Sequence, residues 1–203
     1  ELLKSEKLDL VSICTPHYLH FDMANKLISQ GVNLIIEKPA GLKQHEFDEL
    51  KKLENESGLI ISVCFQNRFN DTVKKLDKAF YENKLGKILI GTVCVRWYRD
   101  QDYYKDAWHG SLEKSGGGVL ITQAIHQIDL LRKYMGMPDQ ILGFSTNLRS
   151  IVEVEDAIVG AFKFPNGSLG SFECSTVTYP NHIEASITLI GEKGTIKVGG
   201  KSL

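Results

Sequence analysis

Val32-Asn33-Leu34-Ile35-Ile36-Glu37-Lys38-Pro39 is a short apolar run that stops on a carboxylate, an amine and a rigid imino acid. A largely apolar run of this length, bounded by Gly31 and Pro39, has the pattern of a strand buried in a parallel sheet. Similar runs flank it: Leu8 to Cys14 upstream, ended by Thr15-Pro16, and Leu59 to Phe65 downstream. Between them, His17 to Gln30 carries Leu19, Met23, Leu27 and Ile28 on one side, and Leu42 to Ser57 carries Phe47, Leu50 and Leu53. Each spacing predicts a helix, closed by Gly31 and Gly58 respectively. Strand, helix, strand, helix, strand predicts a parallel sheet covered on both faces, the second half of a doubly wound α/β domain. Lys38 then stands at the carboxyl end of a strand, where open α/β sheets bind ligands.

The pattern changes after Phe69. One helix, Asp71 to Asn83, leads into long segments rich in β-branched residues: Ile88 to Tyr98, Ile141 to Arg149, Ala157 to Phe164, Ser168 to Thr178, Ile183 to Gly191 and Thr195 to Val198. Turn signals at 164–168 and 191–195 predict a large, mainly antiparallel open sheet. The domains are therefore expected at 1–68 and 69–203. A single helix, Val119 to Met135, is expected to interrupt the strands, with Gly116-Gly117-Gly118 before it and Gly136 after it. On a regular helix Leu120, Ile121, Ala124, Ile125, Ile128, Leu131 and Met135 fill one arc, with Thr122, His126 and Asp129 as a polar stripe along its edge.

Composition narrows the function. With 24 basic and 25 acidic residues and no long run of either sign, nothing favours nucleic acid or an anionic membrane as partner. The apolar runs are too short to span a bilayer. The four cysteines, Cys14, Cys64, Cys94 and Cys174, lack paired spacing and each falls in an apolar predicted strand. Buried free thiols are expected, with no metal site, in a reducing cytoplasm. The chain opens on Glu1 and is read as a piece of something longer.

Three features bear chemistry. A lysine held by a neighbouring carboxylate and a proline can act as acid or base once desolvated. His126 on a polar stripe can exchange a proton near neutrality. The glycine run leaves amide donors at a helix start, suited to an anionic or hydroxyl-rich group.

Cys14-Thr15-Pro16 followed by His20, Glu37-Lys38-Pro39, Gln66-Asn67-Arg68-Phe69, Leu85-Gly86-Lys87-Ile88, Trp108, and Gly116-Gly117-Gly118 through His126 to Asp129 together resemble the Gfo/Idh/MocA oxidoreductases in order and spacing. The resemblance implies a Rossmann domain binding NAD or NADP and a C-terminal α/β domain that builds homodimers or homotetramers through its sheet. It implies hydride transfer at a carbinol carbon of a polyhydroxylated small molecule: a sugar, cyclitol or nucleotide sugar. It also implies that Lys38 is the catalytic lysine, with a cis bond to Pro39. His126 exchanges the hydroxyl proton, and Asp129 stands one turn later. Thr15, Pro16, His20, Glu37, Lys38 and Arg68 are expected at the cofactor; Lys38, Trp108, Thr122, His126 and Asp129 at the substrate. Thr122 replaces a frequent aspartate of the family, and His109 a frequent arginine.

The family's G-x-G-x-x-G turn does not occur in these residues. An alternative is therefore a non-catalytic ligand-binding or oligomerising remnant of such an enzyme.

Overall fold

The computed structural model describes residues 5–106 and 108–201. These divide into two compact units: the described part of Glu1–Phe65 with Leu112–Gly116, and the described part of Gln66–Ser111 with Gly117–Leu203.

In the first unit, strands β1 (Leu10–Ile13), β2 (Asn33–Glu37) and β3 (Ile61–Cys64) pair in parallel, in that order. The register sets Val11 beside Leu34, Ile13 beside Ile36 and Leu34 beside Ile61, so these side chains share a face. Helices α1 (His20–Ile28) and α2 (Gln44–Ser57) bury Ala24, Ile28 and Leu50 against that face. Leu34 and Ile36 are wholly buried there; removing each side chain from water stabilises the unit by roughly 2 kcal/mol. Glu46 starts α2 by accepting the Leu42 amide at 2.6 Å and the Lys43 amide at 3.2 Å, which satisfies donors the helix cannot.

Two expectations are corrected here. The opposite face of the sheet carries Ser12, Ile35 and Ser62 in register, with both serines exposed, and no helix covers it among the described residues. Among the described residues the helices cover one face, because both connections return to the same side. The helix expected from His17 begins as a 3-10 turn over His17–Leu19 and becomes α only at His20.

The second unit is built on six strands: β4 (Ile88–Arg96), β5 (Gln140–Thr146), β6 (Ala157–Lys163), β7 (Leu169–Ser175), β8 (Glu184–Gly191) and β9 (Thr195–Gly200). Their order is β5-β6-β7-β4-β8-β9; β4 and β7 are parallel and every other pair is antiparallel. The parallel pair arises because β4 enters the sheet between strands that come much later in the chain. Val93, Val95, Phe172, Ile187 and Leu189 face a core completed by α3 (Asp71–Tyr81) and by the helix that carries His126. Gly91 permits the close approach of that helix, because a Cβ there would collide with Met135 Sδ. Asp77 of α3 accepts hydrogen bonds from Lys133 Nζ at 2.6 Å and Tyr134 Oη at 2.8 Å, tying the two helices together. Burial and this carboxylate push the Tyr134 phenol up.

The helix expected to run unbroken from Val119 to Met135 is in two pieces. After α4 (Leu112–Ser115) in the first unit come α5 (Val119–Thr122) and α6 (Ile125–Met135) in the second. The buried positions of α6 are His126, Gln127, Asp129, Leu130, Leu131 and Tyr134. Ile121, Ile125, Ile128 and Met135 of the expected arc are only half-buried.

The cysteines also divide. Cys94 and Cys174 are buried free thiols that burial raises to about 11 and about 12. Cys14 is exposed, since it lies just past the end of β1.

Candidate active site

In the first unit the expected residues gather at the carboxyl ends of β1 and β2. Thr15, Pro16, Glu37 and Lys38 are all half-buried, and the Lys38–Pro39 bond is cis. The Lys38 amide donates to Glu37 Oε2 at 3.3 Å. His20 is completely buried. Its Nδ1 lies 2.7 Å from the Pro39 carbonyl oxygen and its Nε2 2.7 Å from that of Thr15. Carbonyl oxygens only accept, so a hydrogen bond here is donated by a ring nitrogen that carries a proton. Both ring nitrogens are spent on the backbone, and the ring fastens the turn after β1 to the turn after β2. His20 thereby fixes the edge on which Thr15, Pro16 and Lys38 stand.

In the second unit Arg68 and Asp129, 61 residues apart, are joined by two hydrogen bonds. Arg68 Nε donates to Oδ2 and Nη2 to Oδ1, both at 2.6 Å. Asp129 is nearly buried, and its bond raises the Arg68 guanidinium above its ordinary value. His126, one turn earlier on α6, is 7 % exposed. Thr122 donates its hydroxyl to the Gly118 carbonyl at 2.7 Å. Trp108 is half-buried and stacks on His109 at 3.8 Å between ring centres, while His109 Nδ1 lies 2.5 Å from Asp106 Oδ2.

The glycine run gives a further correction. The Gly118 and Leu120 amides donate to the Glu155 carboxylate at 2.7 and 3.1 Å, and the Val119 amide to the Glu155 carbonyl at 3.0 Å. The anion expected at this helix start is the protein's own. Gly118 is required because a Cβ would collide with the Glu155 backbone.

Sequence reasoning missed Glu155, and it missed Gln123 and Arg99. Gln123 is buried at the junction of α5 and α6, and Arg99 Nε and Nη2 both donate to its Oε1, at 3.1 and 2.7 Å. The one available signal was a second polar side chain, after Thr122 and before Ala124, in a supposedly regular helix.

Among the described residues, no three His, Cys, Asp or Glu side chains gather in a way that could hold a metal, and no helix is long and apolar enough to cross a membrane.

Three parallel strands in one unit and an open mixed sheet in the other are the architecture that the matched family profiles describe, a Rossmann domain followed by a C-terminal domain. Residues 1–65 match the family profile described as "Oxidoreductase family, NAD-binding Rossmann fold", and residues 73–197 match "GFO/IDH/MocA C-terminal domain". The chain belongs to the GFO/IDH/MocA family. It is 34% identical to the WlbA dehydrogenase from Bordetella pertussis, solved in complex with NADH and UDP-GlcNAcA, with a TM-score of 0.93, covering 99% of this chain and 62% of that one. Among curated relatives, it is 27% identical to scyllo-inositol 2-dehydrogenase (NAD(+)) of Bacillus subtilis, over 98% of this chain and 57% of the relative. It is 26% identical to 2,7-anhydro-N-acetylneuraminate hydratase of Mediterraneibacter gnavus, over 97% and 53%. The chain thus spans a little over half the length of these curated relatives.

Proposed function

We propose that the protein is an NAD(P)-dependent oxidoreductase acting at a carbinol carbon of a sugar, cyclitol or nucleotide sugar. The observation that carries this reading is the match of both halves of the chain to one oxidoreductase family. A nucleotide sugar is the favoured substrate class, on the 34% identity to a dehydrogenase solved with NADH and UDP-GlcNAcA.

The edge of the first unit fits a nicotinamide cofactor: Thr15, Pro16, Glu37 and Lys38 line it, and His20 holds its two turns rigid from beneath. Arg68 is a further cofactor-side residue. When bound, the nicotinamide supplies the hydride acceptor. The sequence contains no G-x-G-x-x-G run, and the reading assigns the pyrophosphate contacts to none of its residues. Lys38 and His126 handle the proton of the substrate hydroxyl, and Asp129, clamped by Arg68, stands one turn after His126. Trp108 and Thr122 are substrate-side residues.

The protein is also read as a cytoplasmic homo-oligomer. On the face of the second sheet turned away from its helices, Leu142, Phe144, Val159, Leu169, Ile90 and Ile190 are exposed. An apolar surface this wide fits a second copy of the chain.

The test is made on the full-length protein carrying Lys38→Ala. Fluorescence titration with NAD(H) and NADP(H) is expected to show binding of at least one, while turnover on UDP-GlcNAcA, scyllo-inositol and other polyols falls about 10²–10⁴-fold. Binding without any change in turnover removes the role of Lys38. Failure of both cofactors to bind the unsubstituted protein leaves the ligand-binding remnant as the reading.

A further inference from the structure

The junction between α5 and α6 is a wide helical turn. The Val119 carbonyl accepts the Gln123 amide at 3.0 Å and also the Ala124 amide at 2.9 Å, so one turn spans five residues instead of four. Regular bonding resumes with the Ile128 amide on the Ala124 carbonyl at 3.0 Å. An extra residue in a turn sets back every later side chain by about 100° around the axis. This is the rotation that buries Gln127, Leu130 and Tyr134 in place of Ile125 and Met135. It also decides where His126, two residues past the wide turn, is directed.

A wide turn is less favourable than a regular one and persists where its surroundings hold it. Here the holding contacts are explicit. Gln123 is 8 % exposed; its oxygen takes both bonds from Arg99, and its amide nitrogen donates to Tyr103 Oη at 2.9 Å. Arg99 is itself anchored: its amide donates to the Thr176 carbonyl at 3.0 Å, and its carbonyl accepts Arg149 Nη1 at 2.7 Å. Its guanidinium lies over the rings of Trp97 and Tyr103, at 5.1 and 4.7 Å from their centres. An arginine anchored beside the sheet therefore grips a side chain of the irregular turn.

We propose that Arg99 and Gln123 are positioning residues for His126, keeping the wide turn that sets the direction of its imidazole. This rests on His126 acting as the proton-exchanging group. Nothing else in the helix requires a glutamine at 123, since Ala or Leu there would continue the apolar pattern.

The test separates the two ideas. In full-length protein labelled with ¹³C-histidine, the His126 ring signal is assigned by its loss in His126→Asn. Gln123→Leu is expected to move that signal and its pH titration, and Gln123→Glu, which keeps an acceptor for Arg99, to restore most of both. Arg99→Met, which removes the same bonds from the other side, should act like Gln123→Leu. Ring signals unchanged in a folded Gln123→Leu protein overturn the proposal, as does failure of both Gln123→Leu and Arg99→Met to fold, which assigns the pair a purely architectural part. Full turnover in His126→Asn would instead remove the catalytic reading while leaving the positioning result standing.

Discussion

The two sheets solve the same problem in different ways. In the first unit every strand runs in one direction, the helices lie on one side, and the central strand places Leu34 and Ile36 wholly out of water. In the second, mixed strands bury one face against α3 and α6 and leave Phe144 85 % exposed on the other. Among the described residues both units leave a sheet face without helices, but the chemistry of those faces differs. Ser12 and Ser62 make the first tolerant of water, whereas Leu142, Phe144 and Val159 make the second a surface that gains from a partner. A bare face becomes informative about assembly only when its side chains are apolar.

The sharpest way to break this comparison is to attack the first unit from each side of its sheet. Leu34→Ala is expected to destabilise the unit by about 2–5 kcal/mol, whereas Ser62→Ala on the uncovered face should change stability by less than about 0.5 kcal/mol. Denaturant midpoints measure both, and equal losses would mean that the two faces are not distinguished as described.

On the second unit, Leu142→Ser with Phe144→Ser should leave the thermal midpoint nearly unmoved while light scattering drops to the mass of a single chain. A double variant that still associates would place the oligomeric contact elsewhere.

The smallest effect is expected from acid. On the uncovered side of the second sheet Arg96 bridges Glu173 and Glu184, and Lys197 Nζ reaches Glu184 at 2.6 Å. Hydrogen bonds from Lys197 and Ser186 hold the Glu184 carboxyl down at about 2. A group depressed in the folded state adds stability above its ordinary value of about 4.3, and that stability fades as pH falls toward the folded value. Glu184→Gln should therefore melt about 2–4 °C below the unsubstituted protein at pH 6, with the gap closing between pH 4.5 and 2. A gap that is constant over that range would show the network to be energetically idle.

Local punctuation and long-range pairing were unequally legible in the sequence. Gly31 and Gly58 adopt positive φ angles where the apolar spacing ends, as a helix stop requires, and all six later strands fall within a few residues of the segments read from β-branched runs. The Lys38–Pro39 turn was legible because it directly follows a strand. The wide turn at Gln123 was not, because the apolar spacing through Ile121, Ile125 and Ile128 continues as if the helix were regular. The Arg68–Asp129 pair and the Glu155 carboxylate on the Gly118 amide were equally hidden, since no local pattern encodes a bond across 61 or 37 residues. The exposure of Cys14 shows the same limit at short range: an apolar run announces a strand but not the residue at which cover ends.

Residues 147–156, the link from β5 to β6, carry as their next-to-last residue Glu155, whose backbone and side chain together engage three consecutive amides at the start of α5. That arrangement makes the link a tether of fixed length. Inserting or deleting a residue within it would tug on the helical segment leading to His126, so a change in a surface connection would be felt as a change in chemistry, without any substitution among the residues that perform it.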